Sequence, residues 1–432
     1  MNGFWQALTA DKKAGLAILV AALGYFVDIY DLVLFTIVRV ASLRGIGVAE
    51  GDLLREGVFL LNMQMTGMLI GGVLWGVLGD KRGRIFVLFG SIVTYSLANL
   101  ANAFVTDVWQ YAGCRLIAGI GLAGEIGAGV TLVAEILPKA TRGYGTSLIA
   151  VIGLLGTLAA GFVGDLVSWQ SAYIIGGIMG LMLLAMRFSV HESGLFNRAA
   201  AHDDVRHGDV MLILASRERL GRYAVCIIAG VPIWFLVGII VTFTPELGAA
   251  MNLPVALKAS YASMLCYAGM SAGNLLCSLL SEYWRSRKRA MGAFLAFAFF
   301  MSMAILLLPL PSAAWYYALC VPLGFGGGFW VVYLTGVAEQ FGTNLRATVT
   351  TTVPNSVRGS TVLMTLAFSY FKDDLGVIGS AAAVGAVFFT IGLLALLYMR
   401  ESFGADLDFV ETGHGTARLE TSGSATEAPQ SA

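Results

Sequence analysis

Residues 57–105 read GVFLLNMQMTGMLIGGVLWGVLGDKRGRIFVLFGSIVTYSLANLANAFV. Two apolar runs, 57–78 and 85–105, flank one short charged stretch, Gly79-Asp80-Lys81-Arg82-Gly83-Arg84. Each run matches the roughly 20 residues that a helix needs to cross the hydrocarbon of a bilayer. Neither shows the alternating ten-residue segments of a membrane barrel strand. The segment therefore reads as two spanning helices joined by a tight basic turn, with Gly83 giving the backbone its freedom.

The same pattern extends over the chain. Further apolar runs fall at 14–38, 108–133, 144–167, 170–190, 222–244, 256–280, 290–310, 313–336, 345–370 and 377–399, making twelve. The composition agrees: 57% of residues are hydrophobic and 12% charged, against roughly 25% charged in soluble domains. The expected fold is an all-α polytopic membrane protein of twelve transmembrane helices in two pseudo-symmetric six-helix bundles. The expected units are an N-terminal bundle over 1–190, a polar basic linker over 191–221, a C-terminal bundle over 222–403, and a tail over 404–432. The tail is rich in Ser, Thr, Gly, Ala and Glu and is expected to be disordered.

Lys and Arg set the orientation. With both termini inside, twenty basic residues face the cytoplasm and five (Arg39, Arg44, Arg55, Lys258, Lys372) face out, while Arg115 and Arg358 fall within spans. The expected location is a bacterial inner membrane, with both termini cytoplasmic and no removable signal peptide. Formal net charge is zero, so nothing points to nucleic acid. The five cysteines lie in apolar runs without metal-ligand spacing, and the four histidines fall in loops or the tail. No cofactor, metal site or catalytic constellation is expected, and the chain is not expected to be an enzyme.

The halves echo each other. Glu135 precedes Arg142 by seven residues, and Glu339 precedes Arg346 by seven, at an offset of 204. Gly119 and Gly121 recur as Gly324 and Gly326, Asp80 as Glu282, and Glu192 as Glu401, at offsets of 202 to 209. Such repeats argue for a duplicated unit, the usual construction of a secondary transporter around a central site.

The turn after the second span, Gly76-Val-Leu-Gly-Asp80-Lys81-Arg82-Gly83-Arg84, resembles the signature of the major facilitator superfamily, Gly-x-Leu-x-Asp-(Arg/Lys)-x-Gly-Arg. Span four, Arg115-Leu-Ile-Ala-Gly119-Ile-Gly121-Leu-Ala-Gly124-Glu125, and Asp28-Ile-Tyr-Asp31 in span one resemble the branch of phosphate–, sugar– and organic-acid–proton symporters. Three departures narrow it. Span five lacks the glycine-proline step of drug antiporters. Gly238 follows Trp234 where phosphate symporters carry an acid, and Trp330 stands at their span-ten asparagine. Span seven lacks the glutamines of sugar porters.

By this resemblance Asp31 and Arg115 form a proton-coupling pair, and Asp28 and Glu125 are candidate proton sites. Asp28 and Asp31 are three apart and share one helical face, so in low dielectric they do not both ionise easily. Arg358 suits a carboxylate or phosphate bidentately. It could equally pair with a span acid, and the whole charge set could serve only to orient helices. Trp234, Trp330, Tyr333 and Asn355 are candidate substrate contacts beside Arg358. Gly76, Asp80, Gly83, Arg84, Glu135, Arg142 and Glu192 are expected to form a cytoplasmic gate, echoed by Glu282, Glu339, Arg346 and Glu401. The expected activity is proton-coupled symport of a small organic anion by alternating access, by a monomer whose partners are its substrate, protons and lipid. A sugar–proton symporter or uncoupled facilitator is the alternative, and a transporter-like nutrient sensor a remote one.

Overall fold

Helix ends in this chain follow local chemistry. The computed structural model describes residues 12–82, 84–125, 142–187, 213, 216–404, 409–412 and 415–418. Asp107 starts one helix by accepting the amides of Trp109 and Gln110 at 2.9 Å each, and Ser216 and Ser286 cap two others through the amides of Arg219 and Arg289. Each such cap satisfies donors that the first helical turn leaves open.

The helices are α1 (Lys12–Gly45), α2 (Leu53–Arg82), α3 (Arg84–Asn102), α4 (Val108–Leu122), α5 (Arg142–Leu166) and α6 (Trp169–Arg187). The second half holds α7 (Arg217–Gly230), α8 (Pro232–Phe235), α9 (Thr244–Ala250), α10 (Ala259–Tyr283) and α11 (Arg287–Leu307). It continues with α12 (Ala313–Gly327), α13 (Trp330–Glu339), α14 (Thr343–Gly359) and α15 (Thr361–Tyr398). Among the described residues, seven helical stretches are long and apolar enough to cross a membrane. The protein is a polytopic, predominantly helical membrane protein. The stretch from 344 to 398 is interrupted at Gly376, whose φ of 69° only glycine adopts without strain. That break falls between the two apolar runs 345–370 and 377–399.

Between α8 and α9, residues Leu236–Val241 form a π-helical turn, with the Thr242 amide bonded to the Val237 carbonyl at 3.1 Å. Sequence periodicity gives no sign of it. Such turns concentrate at functional positions because they displace one residue from the regular ladder.

The echoed glycines do the same work in both halves. A Cβ at Gly119 on α4 would fall on the Gln64 carbonyl of α2, and one at Gly324 on α12 would fall on the Cys266 carbonyl of α10. Close approach of backbones through small residues is how membrane helices gain packing energy. Pro322 and the glycines of α12 can serve either a cavity-lining break or close packing. At Gly324 the packing reading holds. The helix does break later, at Gly328 and Phe329 between α12 and α13.

The tail departs from expectation. Rather than lacking structure throughout, it forms an antiparallel hairpin, β1 (Phe409–Thr412) with β2 (Gly415–Arg418), in which Phe409 faces Arg418. The cause is Glu411, whose buried carboxylate accepts Arg222 Nη2 at 2.9 and 3.2 Å. Its amide and carbonyl also exchange bonds of 2.9 Å with the Asn344 side chain. Composition averages over neighbours and cannot register one carboxylate whose partners lie far away in sequence.

Candidate functional site

A row of buried charges joins α1, α4 and α14. Asp28 and Asp31, three apart on α1, are both essentially inaccessible to solvent, at 0% and 1% exposed. On one flank Arg358 of α14 places Nη2 4.0 Å from Asp28 Oδ2, with its Cζ 5.8 Å from the Trp234 ring centroid. Arg358 Nη1 also reaches Asn355 Oδ1 at 3.5 Å. Tyr25 and Tyr267 lie within electrostatic reach of Asp28 and Arg358. On the other flank Arg115 of α4 sits with its Cζ 4.9 Å from the Phe35 ring and 5.8 Å from the Tyr173 ring. Its charge acts on Asp31, as does that of Asp28. The order is therefore Arg358, Asp28, Asp31, Arg115.

The expected Asp31–Arg115 contact is not a direct bond. Among the described residues, no hydrogen bond joins Asp31 to the three guanidinium nitrogens of Arg115, and the Asn99 side chain lies beside the Asp31 carboxylate. Arg115 is held by aromatic faces instead, a favourable setting for a cation. Asp31 packs against the bare Cα of Gly176, where an added Cβ would stand 2.5 Å from Oδ1. Charged groups buried without an ion pair in contact are costly, and in membrane spans they mark functional positions. Arg358, read from sequence as a substrate contact, is paired with Asp28 in this state. Its ion pair was the competing sequence reading.

The remaining candidates divide. Asn355 belongs to the row's surroundings. Its Nδ2 donates at 2.9 Å both to the Ala123 carbonyl, at the end of α4, and to the Thr351 carbonyl one turn back. It thereby ties α14 to the first half of the chain. Glu125 is buried and accepts Ser91 Oγ at 3.1 Å. Trp330 stacks on Tyr333 at 5.3 Å, and the Tyr333 hydroxyl donates to the Cys226 carbonyl at 2.8 Å. That hydroxyl is engaged in joining α13 to α7.

Of the gate residues, Gly76 lies on α2 with its open side toward Thr352 of α14. Gly83, Glu135 and Glu192 lie outside the described residues, as do the side chains of Asp80, Arg84 and Arg142. The second-half set is gathered, but its hub differs from expectation. Arg287 donates to Glu282 at 2.8 Å and to Glu339 at 3.3 Å, and Glu339 accepts Ser402 Oγ at 2.7 Å. Glu401 accepts the Ser286 hydroxyl and the amides of Arg287 at 2.9 Å, Ser402 at 3.0 Å and Phe403 at 3.1 Å. Partial burial pushes the Glu401 carboxyl up, but these donors outweigh it and hold the group below the ordinary carboxylate range. Arg346 bonds the Ala338 and Phe341 carbonyls at 3.2 and 3.4 Å.

Sequence reasoning missed one site altogether. Arg39, counted among the outer loop charges, lies inside α1 because the helix runs on to Gly45. It is fully buried and bonded to Glu246 of α9. Nearby, the Thr36 and Thr242 hydroxyls meet at 3.2 Å. Asn62 and Thr365, and Asp165 and Lys258, make further contacts between the two halves. An apolar-run boundary placed six or seven residues short hid the burial of Arg39.

Comparison with known proteins adds the following. The niacin transporter NiaP of Acinetobacter baylyi (strain ATCC 33305 / BD413 / ADP1) is 26% identical over 76% of this chain and 80% of its own length. The 3-(3-hydroxy-phenyl)propionate transporter of Escherichia coli (strain K12) is 31% identical over 36% of this chain and 41% of its own length. For several curated relatives the match spans less than half of their length, between 41% and 49%. The proton:xylose symporter XylE bound to 6-bromo-6-deoxy-D-glucose superposes with a TM-score of 0.70 at 17% identity, covering 92% of this chain and 98% of that one. This likeness concerns the fold. The Major Facilitator Superfamily matches residues 14–362, most of the spanning region, and the chain belongs to that family.

Proposed function

We propose that the protein is a proton-coupled secondary transporter that carries an aromatic monocarboxylate by alternating access. The observation that carries this reading is the row Arg358–Asp28–Asp31–Arg115. With both aspartates ionised its formal charge is zero. One proton on the Asp28–Asp31 pair leaves the row at +1, which a monoanion neutralises. Proton and anion then favour each other's binding by linkage, and the loaded carrier moves little charge through the bilayer.

Arg358 is the anion's partner in this scheme. When the proton arrives on Asp28, the guanidinium is released from a 4.0 Å pair and can grip a carboxylate in two-pronged fashion. The Trp234 face beside it, with Tyr25 and Tyr267 nearby, suits an aromatic ring. The two relatives are named for niacin and 3-(3-hydroxy-phenyl)propionate, both aromatic monocarboxylic acids.

The frame of this reading is twelve spans in two six-helix bundles, 1–190 and 222–403, joined by a cytoplasmic linker over 191–221. The matched glycine contacts at Gly119 and Gly324 support the duplication, and the charge asymmetry of the loops supports cytoplasmic termini in a bacterial inner membrane. The chain acts as a monomer.

Uptake into proteoliposomes tests the proposal, using labelled nicotinate, 3-(3-hydroxyphenyl)propionate and xylose with an inward proton gradient. Carboxylate accumulation that a proton ionophore collapses is the expected result. Accumulation of xylose with no uptake of either carboxylate, or carboxylate uptake indifferent to the gradient, would overturn it.

A further inference from the structure

Away from the charge row, a groove of about 590 Å³ lies between α11 and α15, lined by Trp284, Lys288, Arg289, Gly292, Ala293, Leu393, Leu396 and Leu397. Its chemistry is ordered along the helices. Lys288 and Arg289 stand at the first turn of α11, and Gly292 and Ala293 follow one turn deeper, at roughly 1.5 Å of rise per residue. The facing wall on α15 is leucine only, and Leu397 is 71% exposed. Trp284, with an apolar ring and one polar N–H, stands at the charged rim, where such side chains sit at membrane interfaces.

The cations at the rim are not consumed by the protein. Arg289 is exposed, and its guanidinium bonds no group among the described residues. Lys288 Nζ spends one donor on the Leu397 carbonyl, at 2.8 Å, which leaves two. The neighbouring Arg287 is by contrast committed to Glu282 and Glu339. Glu401, a carboxylate close to the same turn, is taken up by Ser286 and the amides of Arg287 and Lys288. Among the described residues, no carboxylate lines the groove itself.

We infer that this groove binds one anionic phospholipid, its phosphate between Lys288 and Arg289 and its acyl chain along Gly292 and the leucine wall. The apolar wall directly beneath the cations is what favours a lipid over a soluble phosphate. A zwitterionic headgroup would bring an ammonium to a rim whose neighbouring acid, Glu401, is already bonded to Ser286 and backbone amides. Gly292 keeps the floor open, since a Cβ there meets only Leu396 Cδ2, at 3.5 Å.

Native mass spectrometry of the purified full chain, in detergent with equal phosphatidylglycerol and phosphatidylethanolamine, reads this directly. The wild type should retain phosphatidylglycerol preferentially. Arg289→Gln, at an exposed position, should lower that retention by roughly fivefold, and Lys288→Gln with Arg289→Gln by roughly tenfold or more. Gly292→Leu should lower it with both cations intact, by filling the chain's path. Three results would overturn the inference: equal retention of the two lipids by the wild type, unchanged retention in Arg289→Gln and Gly292→Leu, or displacement of the lipid by millimolar inorganic phosphate, which would mark a soluble-anion site. None of these readings depends on transport.

Discussion

Arg39 Nη2 lies 2.7 Å from both carboxylate oxygens of Glu246, joining α1 to α9 across 207 positions of sequence. The guanidinium is fully buried, takes the Thr242 carbonyl at 3.3 Å, and stands 5.0 Å from the Phe243 ring centroid. One arginine thus fastens the first half of the chain to the second just after the π-helical turn. A pair of this kind holds only while the two helices stay together, so it favours the state in which this end is closed.

Replacing Glu246 with Gln should therefore open that end. Removing one partner of a buried pair costs about 3–5 kcal/mol, and the 17% exposure of Glu246 puts this site at or below the lower figure. Each 1.4 kcal/mol is about a tenfold shift in population. Spin labels at Arg44 and Asn252, at the ends of α1 and α9, would read the separation by pulsed electron resonance. A longer, broader distance distribution in Glu246→Gln is expected, and an unchanged one would remove the gate role.

The legibility of this protein from its sequence divides along a physical line. Apolar run length marked the chain as a polytopic helical membrane protein and placed the break before residue 377, because crossing a bilayer is a requirement on local composition. The four residues of the buried row were all recognisable, since a charge inside an apolar run stands out. Which charge meets which was not recognisable. Arg358 chose Asp28, and Arg115 settled between Phe35 and Tyr173 without bonding Asp31 directly. Arg287, two residues after the turn at Arg285 with its φ of 49°, became the hub for Glu282 and Glu339. Glu411 and Arg39 were missed because their ion-pair partners lie more than 180 residues away.

Asp31→Asn should abolish uphill uptake while leaving substrate exchange measurable, because exchange need not release the proton. The companion variant is Gly176→Ala. Its methyl would stand 2.5 Å from Asp31 Oδ1 and so displace the carboxyl without removing it. Counterflow and gradient-driven uptake in the same proteoliposomes separate the two activities. Uphill uptake at the wild-type level in both variants would exclude Asp31 from coupling.

Glu401 carries a pH prediction. Its carboxyl is held below the ordinary range by Ser286 and the amides it accepts, against the opposing effect of burial. A lowered folded-state value means that the contact contributes fully at pH above the ordinary carboxylate range and is lost as pH falls through the folded value. Glu401→Gln should cost up to about 1 kcal/mol near neutral pH, the modest figure reflecting its exposure to solvent. Thermal unfolding in detergent between pH 7 and 4 should show the wild type and variant converging as the medium becomes acidic. A gap that stayed constant over that range would assign the stability to something other than this carboxylate.

Arg358 decides between a carrier for an anion and one in which the same charge is only structural. If its sole task is to balance Asp28, Arg358→Lys should preserve transport, because a lysine supplies the same charge. If it grips a substrate carboxylate, the planar fork matters, and lysine offers one point charge in place of two parallel donors. Arg358→Lys should then raise the apparent KM for the carboxylate by roughly tenfold or more, the loss of about one charge-assisted hydrogen bond, with a smaller effect on the maximal rate. Arg358→Gln should lose affinity further and leave Asp28 without its 4.0 Å partner. Adding Asp28→Asn to Arg358→Gln removes both charges and separates the two roles. A structural pair would be rescued by this double variant, whereas a substrate contact would not. Restored affinity in the double variant, or an unchanged KM in Arg358→Lys, would end the assignment of Arg358 to the substrate.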